Sequence, residues 1–200
     1  MNNLIPLVEE LKNSQIKNLV KQRMYEFSSI PRDFDSLFSE LAFCILAAGT
    51  SAELGIKTIK HLGETLHKGS EKQIQKKLKE VYRFHTIRAG YLHKARSDFK
   101  NLDINASDIR EKLVESIKGI GFKEASHFLR NIGYKDYAIV DFHIVDILAN
   151  HGVIERPKTM TPKRYLEIEE VLKILAKKLK MNLGELDLYL WYKETGKILK

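Results

Sequence analysis

Apolar residues recur along this chain at intervals of three and four, the period of a helix, and never alternate for long enough to make a strand. Leu4 to Phe27 reads as two helices broken near Asn13-Ser14, with Ile16, Leu19 and Val20 on one face. Pro31 sets a boundary, because the residue before a proline avoids helix. Asp33 to Ala48 predicts a strongly apolar helix, with Gly49 as its stop. Thr50-Ser51-Ala52-Glu53 supplies a cap and an acidic first turn for a helix running toward Leu66. Ser70 to Glu80 predicts a charged amphipathic helix with Ile74 and Leu78 inward. Tyr82-Arg83-Phe84-His85 opens another that reaches about Phe99.

In the second half, Asp108 to Lys118 predicts a helix that the Ser107 hydroxyl caps, with Asp108 and Glu111 suited to its positive end. A glycine turn, Lys118-Gly119-Ile120-Gly121, leads into a helix from Phe122 to Asn131, and Gly133 falls where a left-handed residue ends a helix. Beyond Tyr137-Ala138-Ile139-Val140-Asp141-Phe142-His143 a helix runs to Asn150, with Gly152 as its stop. Thr161 and Pro162 begin the next, which carries Ile168, Val171, Leu172 and Leu175 at helical spacing to about Lys180. Asn182-Leu183-Gly184 interrupts, and Glu185 to Thr195 makes the last helix. There is no internal repeat and no low-complexity tract. The pattern is that of an all-α fold.

Composition narrows the class. Of 200 residues, 44% are hydrophobic and 30% charged, the balance of a globular protein able to bury one good core or two small helical subdomains. A formal charge of +8 suits a polyanionic partner, though basic proteins without one are common. The single cysteine, Cys44, excludes an internal disulfide and any multi-cysteine zinc or iron–sulfur site. It lies in the apolar run Leu41-Ala42-Phe43-Cys44-Ile45-Leu46 and reads as a buried small hydrophobe. Asn2-Asn3-Leu4 carries no signal-peptide pattern and no apolar run approaches membrane-spanning length, so no membrane and a cytoplasmic, nucleoid-associated location are expected.

Chemistry concentrates between Ser107 and His143. A glycine turn that opens a helix, flanked by Lys118 and Lys123, offers free backbone N–H groups and the positive end of a helix dipole to a phosphate. The same glycines also suit an ordinary packing hairpin. Eighteen positions after Lys123 stands Asp141. An amine and a carboxylate from successive helices are parts of a nucleophilic site: the amine can attack an electrophilic carbon and the carboxylate can stabilise positive charge beside it. The amine must first shed its proton. Burial, the helix N-terminus and Lys118 favour the neutral form, while direct contact with a carboxylate opposes it. Alone, Lys123 is equally a surface lysine and Asp141 equally a helix cap; capping and catalysis are compatible in Asp141.

Ile117-Lys118-Gly119-Ile120-Gly121-Phe122-Lys123-Glu124-Ala125-Ser126-His127-Phe128-Leu129-Arg130-Asn131, followed by Ala138-Ile139-Val140-Asp141-Phe142-His143, resembles the helix-hairpin-helix DNA glycosylase superfamily. Within it the resemblance is to the type-2 8-oxoguanine DNA glycosylase/lyases, because Trp191-Tyr192 and Thr195-Gly196-Lys197-Ile198-Leu199-Lys200 also match. It is specific from Leu113 to His143 and from Leu186 to Lys200, and looser before residue 80. It implies two helical subdomains with a central cleft: a continuous one at about Ser28 to Lys135 holding the hairpin, and a second formed by 1–27 and 136–200.

The resemblance also implies roles. Lys123 is the nucleophile and Asp141 its partner. Phe84 and Trp191 sandwich the flipped base, and Lys200, with its carboxylate, reads 8-oxoguanine; as lone aromatics both rings would equally be core. Lys118, Gly119, Gly121 and His143 hold DNA backbone, although His143 alone would be a structural histidine. Gly49-Thr50-Ser51 matches the loop that enters the gap left by the extruded base, while a plain helix cap explains Ser51 as well. His127 reads as packing. Phe142 departs from the family, which commonly has arginine there. The implied partner is double-stranded DNA containing 8-oxoguanine, met by a monomer that uses no metal and no cofactor. Relatives imply a monovalent cation on hairpin carbonyls around Glu115, Ile117 and Ile120. Two other readings fit the same residues: the fold acting on another damaged or mismatched base, and a non-catalytic hairpin module that only holds DNA.

Overall fold

The computed structural model describes residues 3–200; Asn2, in the stretch considered above for a targeting signal, lies outside them. Among the described residues there are helices and no strands. In order they are α1 (Leu4–Lys12), α2 (Ile16–Ser28), α3 (Phe34–Ala47), α4 (Ala52–Leu62), α5 (Glu64–Lys68) and α6 (Glu71–Lys79). There follow α7 (His85–Phe99), α8 (Ile109–Ser116), α9 (Phe122–Asn131), α10 (Phe142–Asn150), α11 (Pro162–Lys178) and α12 (Leu183–Thr195). None is long and apolar enough to cross a membrane. The chain forms two compact units: one is Ile30–Phe128, the other the segment up to Ser29 together with Leu129–Lys200.

In the first unit α3 is the central helix, packed against α4 and α7, with α6 lying along α7. Its apolar run explains this. Phe38, Leu41, Ala42, Ile45 and Leu46 are wholly buried, and Cys44 is buried among them as a small hydrophobe. Each such large side chain contributes roughly 1.5–3 kcal/mol by leaving water. Asp33 starts the helix by accepting the Ser36 N–H at 2.9 Å. His127 is buried edge-on to Phe43, ring centroids 5.4 Å apart, and does pack.

In the second unit α12 takes the central place, touching α1, α2, α10 and α11. Arg130, 2% exposed, sits 4.6 Å over the Phe27 ring and 3.6 Å from the Asp187 carboxylate. A buried guanidinium of this kind demands a charged partner.

Three expectations change. The helix expected from Ala52 to Leu66 breaks at Gly63, whose φ of +52° ends α4 and starts the short α5. Ser107 does not cap α8: the cap position falls one residue later, at Asp108, which makes no side-chain cap bond. Instead the Lys112 ammonium, 2.8 Å away, binds the Asp108 carboxylate and lowers its pKa. Asn182 does not merely interrupt but caps α12, exchanging bonds with Glu185 in a capping box.

Gly133 has the left-handed conformation expected, φ +95°, and a Cβ there would lie 3.0 Å from the Ser28 Cα. Gly133→Ala therefore combines backbone strain with a backbone clash, and an unfolding free energy lower by about 1–3 kcal/mol is expected in urea titration. An unchanged midpoint would contradict the packing of Gly133 on α2.

Candidate active site

The hairpin is built on a tyrosine. Gly119, φ +91°, lies so close to Tyr91 of α7 that a Cβ would come within 2.4 Å of its ring. Lys118 and Arg88 place their charges 5.6 and 5.5 Å from the same ring, a cationic rim around an aromatic floor. The Ile120 N–H closes the turn on the Ile117 carbonyl at 3.2 Å.

Gly121 precedes the first turn of α9, where N–H groups lack intrahelical acceptors. Glu124 meets this need: one carboxylate oxygen accepts the Gly121 N–H at 3.2 Å. Its other oxygen stands 3.7 Å from Nζ of Lys123. Glu124 thus ties the turn, the helix start and the candidate nucleophile together. Lys123 is not a free surface lysine, its side chain being 28% exposed. Glu124 was not singled out from the sequence, although a glycine before a helix and an acid three residues on is half of a capping box.

Elsewhere in this unit, Phe84 occupies the cap position of α7, partly exposed, with the Arg83 guanidinium 5.0 Å over its ring. It is not core. Arg88 donates to the Ala48 carbonyl at 2.8 Å and Thr50 to the Leu46 carbonyl at 2.8 Å, fixing the loop around Gly49. Ser51 caps α4 through the Leu54 N–H, so the cap reading of that residue holds.

In the other unit, Asp141 caps α10, its Oδ1 accepting the Ile144 N–H at 2.9 Å. Residues leading into it are clamped by two buried polar groups of α11. Tyr165 donates to the Ala138 carbonyl at 2.6 Å and accepts the Val140 N–H at 3.2 Å, and Glu169 accepts the Ala138 N–H at 3.0 Å. Both side chains are 2% exposed. Neither was singled out from the sequence. The available signal was Glu169, a charged residue on the apolar stripe of α11.

His143 and Trp191 come together in the same unit, edge-on, with ring centroids 4.9 Å apart. Trp191 is half-buried, which departs from a simple core role. After it, the Thr195 hydroxyl binds the Trp191 carbonyl, Gly196 turns left-handed at φ +70°, and Arg23 reaches the Ile198 carbonyl at 3.5 Å. Ile198, Leu199 and Lys200 are all half-buried, so this end of the chain lies against its unit rather than in solvent.

Lys123 and Asp141 thus stand in different units, each at a helix start. Comparison with known proteins bears on the family. A family model described as 8-oxoguanine DNA glycosylase matches residues 20–181. A protein of Methanocaldococcus jannaschii described as 8-oxoguanine DNA glycosylase/AP lyase is 46% identical over 206 residues, covering 98% of this chain and 99% of that one. One of Korarchaeum cryptofilum with the same description is 43% identical over 208 residues, covering 100% and 99%. Among solved structures, the M. jannaschii 8-oxoguanine glycosylase/lyase in complex with a 15mer DNA containing 8-oxoguanine matches with a TM-score of 0.92 at 44% identity, over 98% of this chain and 99% of that one. The 8-oxoguanine DNA glycosylase of Thermotoga maritima matches with 0.93 at 39% identity, over 100% and 99%.

The close approach of Gly119 to the Tyr91 ring couples the two positions energetically. Gly119→Ala should destabilise strongly in wild type and by about 1 kcal/mol less in a Tyr91→Ala background, where only the backbone strain remains. Equal costs in both backgrounds would show that the ring does not constrain the turn.

Proposed function

The chain belongs to the 8-oxoguanine DNA glycosylase family, and from that premise we propose that it excises 8-oxoguanine from double-stranded DNA and cuts the strand at the vacated sugar. The observation that carries this reading is likeness over the full chain to 8-oxoguanine DNA glycosylase/AP lyases, in a protein that fixes Lys123 and Asp141 at two helix starts.

In this reading the neutral Nζ of Lys123 attacks C1′ of the deoxyribose. The glycosidic bond breaks with its electron pair going to the base, which takes up a proton and leaves. The sugar ring opens as the new C1′–N bond becomes a protonated imine. That imine acidifies the C2′ proton, whose removal expels the 3′ phosphate by β-elimination. Asp141, with Oδ1 engaged by the Ile144 N–H, turns its other oxygen to the positive charge that develops on the sugar. The amine and the acid suffice for these steps without a cofactor; a monovalent cation on the hairpin carbonyls would serve DNA backbone binding only.

Recognition divides among the remaining residues. Phe84 and Trp191 stack on the extruded base, worth roughly 1–3 kcal/mol for each base stacked. Lys200 lies at the base edge, where 8-oxoguanine presents an N7–H donor in place of guanine's N7 acceptor. Lys118, the backbone at Gly119 and His143 hold phosphates; the Gly121 N–H, expected to be free for one, is taken by Glu124, so Gly121 contributes only close backbone approach. The protein acts as a monomer in the cytoplasm, at the nucleoid, where its substrate is.

Lys123→Gln should lower base release and strand scission by a factor on the order of 10³ or more and abolish the borohydride-trapped covalent complex; a full yield of that complex from the variant would sink the assignment. Asp141→Asn should lose turnover while still binding lesion DNA. Deleting Lys200 should narrow the preference for 8-oxoguanine across a panel of single-lesion duplexes. An unchanged preference would mean that another group reads the base.

A further inference from the structure

Phe142 directly follows Asp141 and is 68% exposed. The ring is not loose. It lies against His143, centroids 3.9 Å apart and planes at 37°, and His143 in turn stands edge-on to Trp191 at 4.9 Å. Three rings of one unit thus form a supported series that ends in solvent at Phe142. The side chain has no charge and no hydrogen-bonding atom, so an apolar surface, a π face or a cation can recognise it, and of these a DNA strand offers the first two.

Its position limits what that face can be. Adjacent Cα atoms are about 3.8 Å apart, so a deoxyribose within reach of Asp141 lies within roughly 10 Å of the Phe142 ring. The strand carries a nucleotide every 3.4 Å or so along the duplex axis. The nearest surface of suitable chemistry is therefore the nucleotide beside the lesion. We propose that Phe142 is a DNA contact of the uncharged kind, its exposed ring packing on the apolar face of a nucleotide that flanks the damaged one. This rests on the reading that Asp141 acts at the sugar.

Salt dependence distinguishes such a contact from a phosphate bond, because only charge neutralisation releases counterions. The full chain would be titrated with a duplex bearing a tetrahydrofuran abasic analogue, which leaves the base pocket empty, between roughly 50 and 200 mM salt. Phe142→Ala should weaken binding by about tenfold at every salt concentration without changing the slope of log K against log salt. Phe142→Tyr should bind as wild type. Phe142→Arg should regain affinity at low salt, with a slope steeper by about one. Thermal melting of each variant at the wild-type midpoint confirms that an exposed residue was changed; should Phe142→Ala melt early, the Tyr and Arg slopes decide. Unchanged binding by Phe142→Ala, a loss that disappears at high salt, or a wild-type slope in Phe142→Arg overturns the proposal. Release of 8-oxoguanine by wild type is assayed separately: its failure would overturn the functional reading and leave the salt series standing.

Discussion

A helix start leaves N–H groups without intrahelical acceptors, and side-chain oxygens must meet them if the surroundings are not wholly wet. That requirement shapes the chain around both Lys123 and Asp141. At α9 the Glu124 carboxylate takes the Gly121 N–H and stands beside Lys123. At α10 the Asp141 carboxylate takes the Ile144 N–H itself. Capping and chemistry are then not rivals. The cap fixes one oxygen of Asp141, and a carboxylate so fixed needs no reorganisation when charge appears opposite the other.

The backbone on either side of these starts is held by contacts distant in sequence. Tyr91 supports the hairpin from α7, and the clamp of Tyr165 and Glu169 supports residues 138–140 from α11. Buried polar groups of this type are expensive unless satisfied, and here they satisfy main-chain atoms that no helix covers. Rigidity at Asp141 is thus supplied by α11, a helix that carries none of the residues given a chemical role.

Helices were legible because period and caps agree: Ser70, Thr161 and Asp33 begin α6, α11 and α3 with the side-chain bonds their types suggest. Ser107 failed as a cap because Asp108, at the cap position itself, is drawn to Lys112, a competition that spacing alone does not rank. Gly63 was hidden inside an unbroken apolar period; a glycine is tolerated within helices, and only the conformation shows that this one ends α4. For the candidate site, local motif and resemblance singled out Lys123 and Asp141, and the structure places each at a helix start. Tyr91, Tyr165 and Glu169 were not, since each acts on backbone far along the chain. Phe142 was legible as a departure from the family pattern, but its support by His143 was not.

The proposed function rests on a covalent step in which one amine, Lys123, carries the sugar between base loss and strand cleavage. Borohydride reduction of the reaction on 8-oxoguanine duplex, followed by proteolysis and mass spectrometry of the DNA-linked peptide, reads the point of attachment directly. A single modified residue, Lys123, is expected. Attachment at any other lysine or at an α-amine would contradict it.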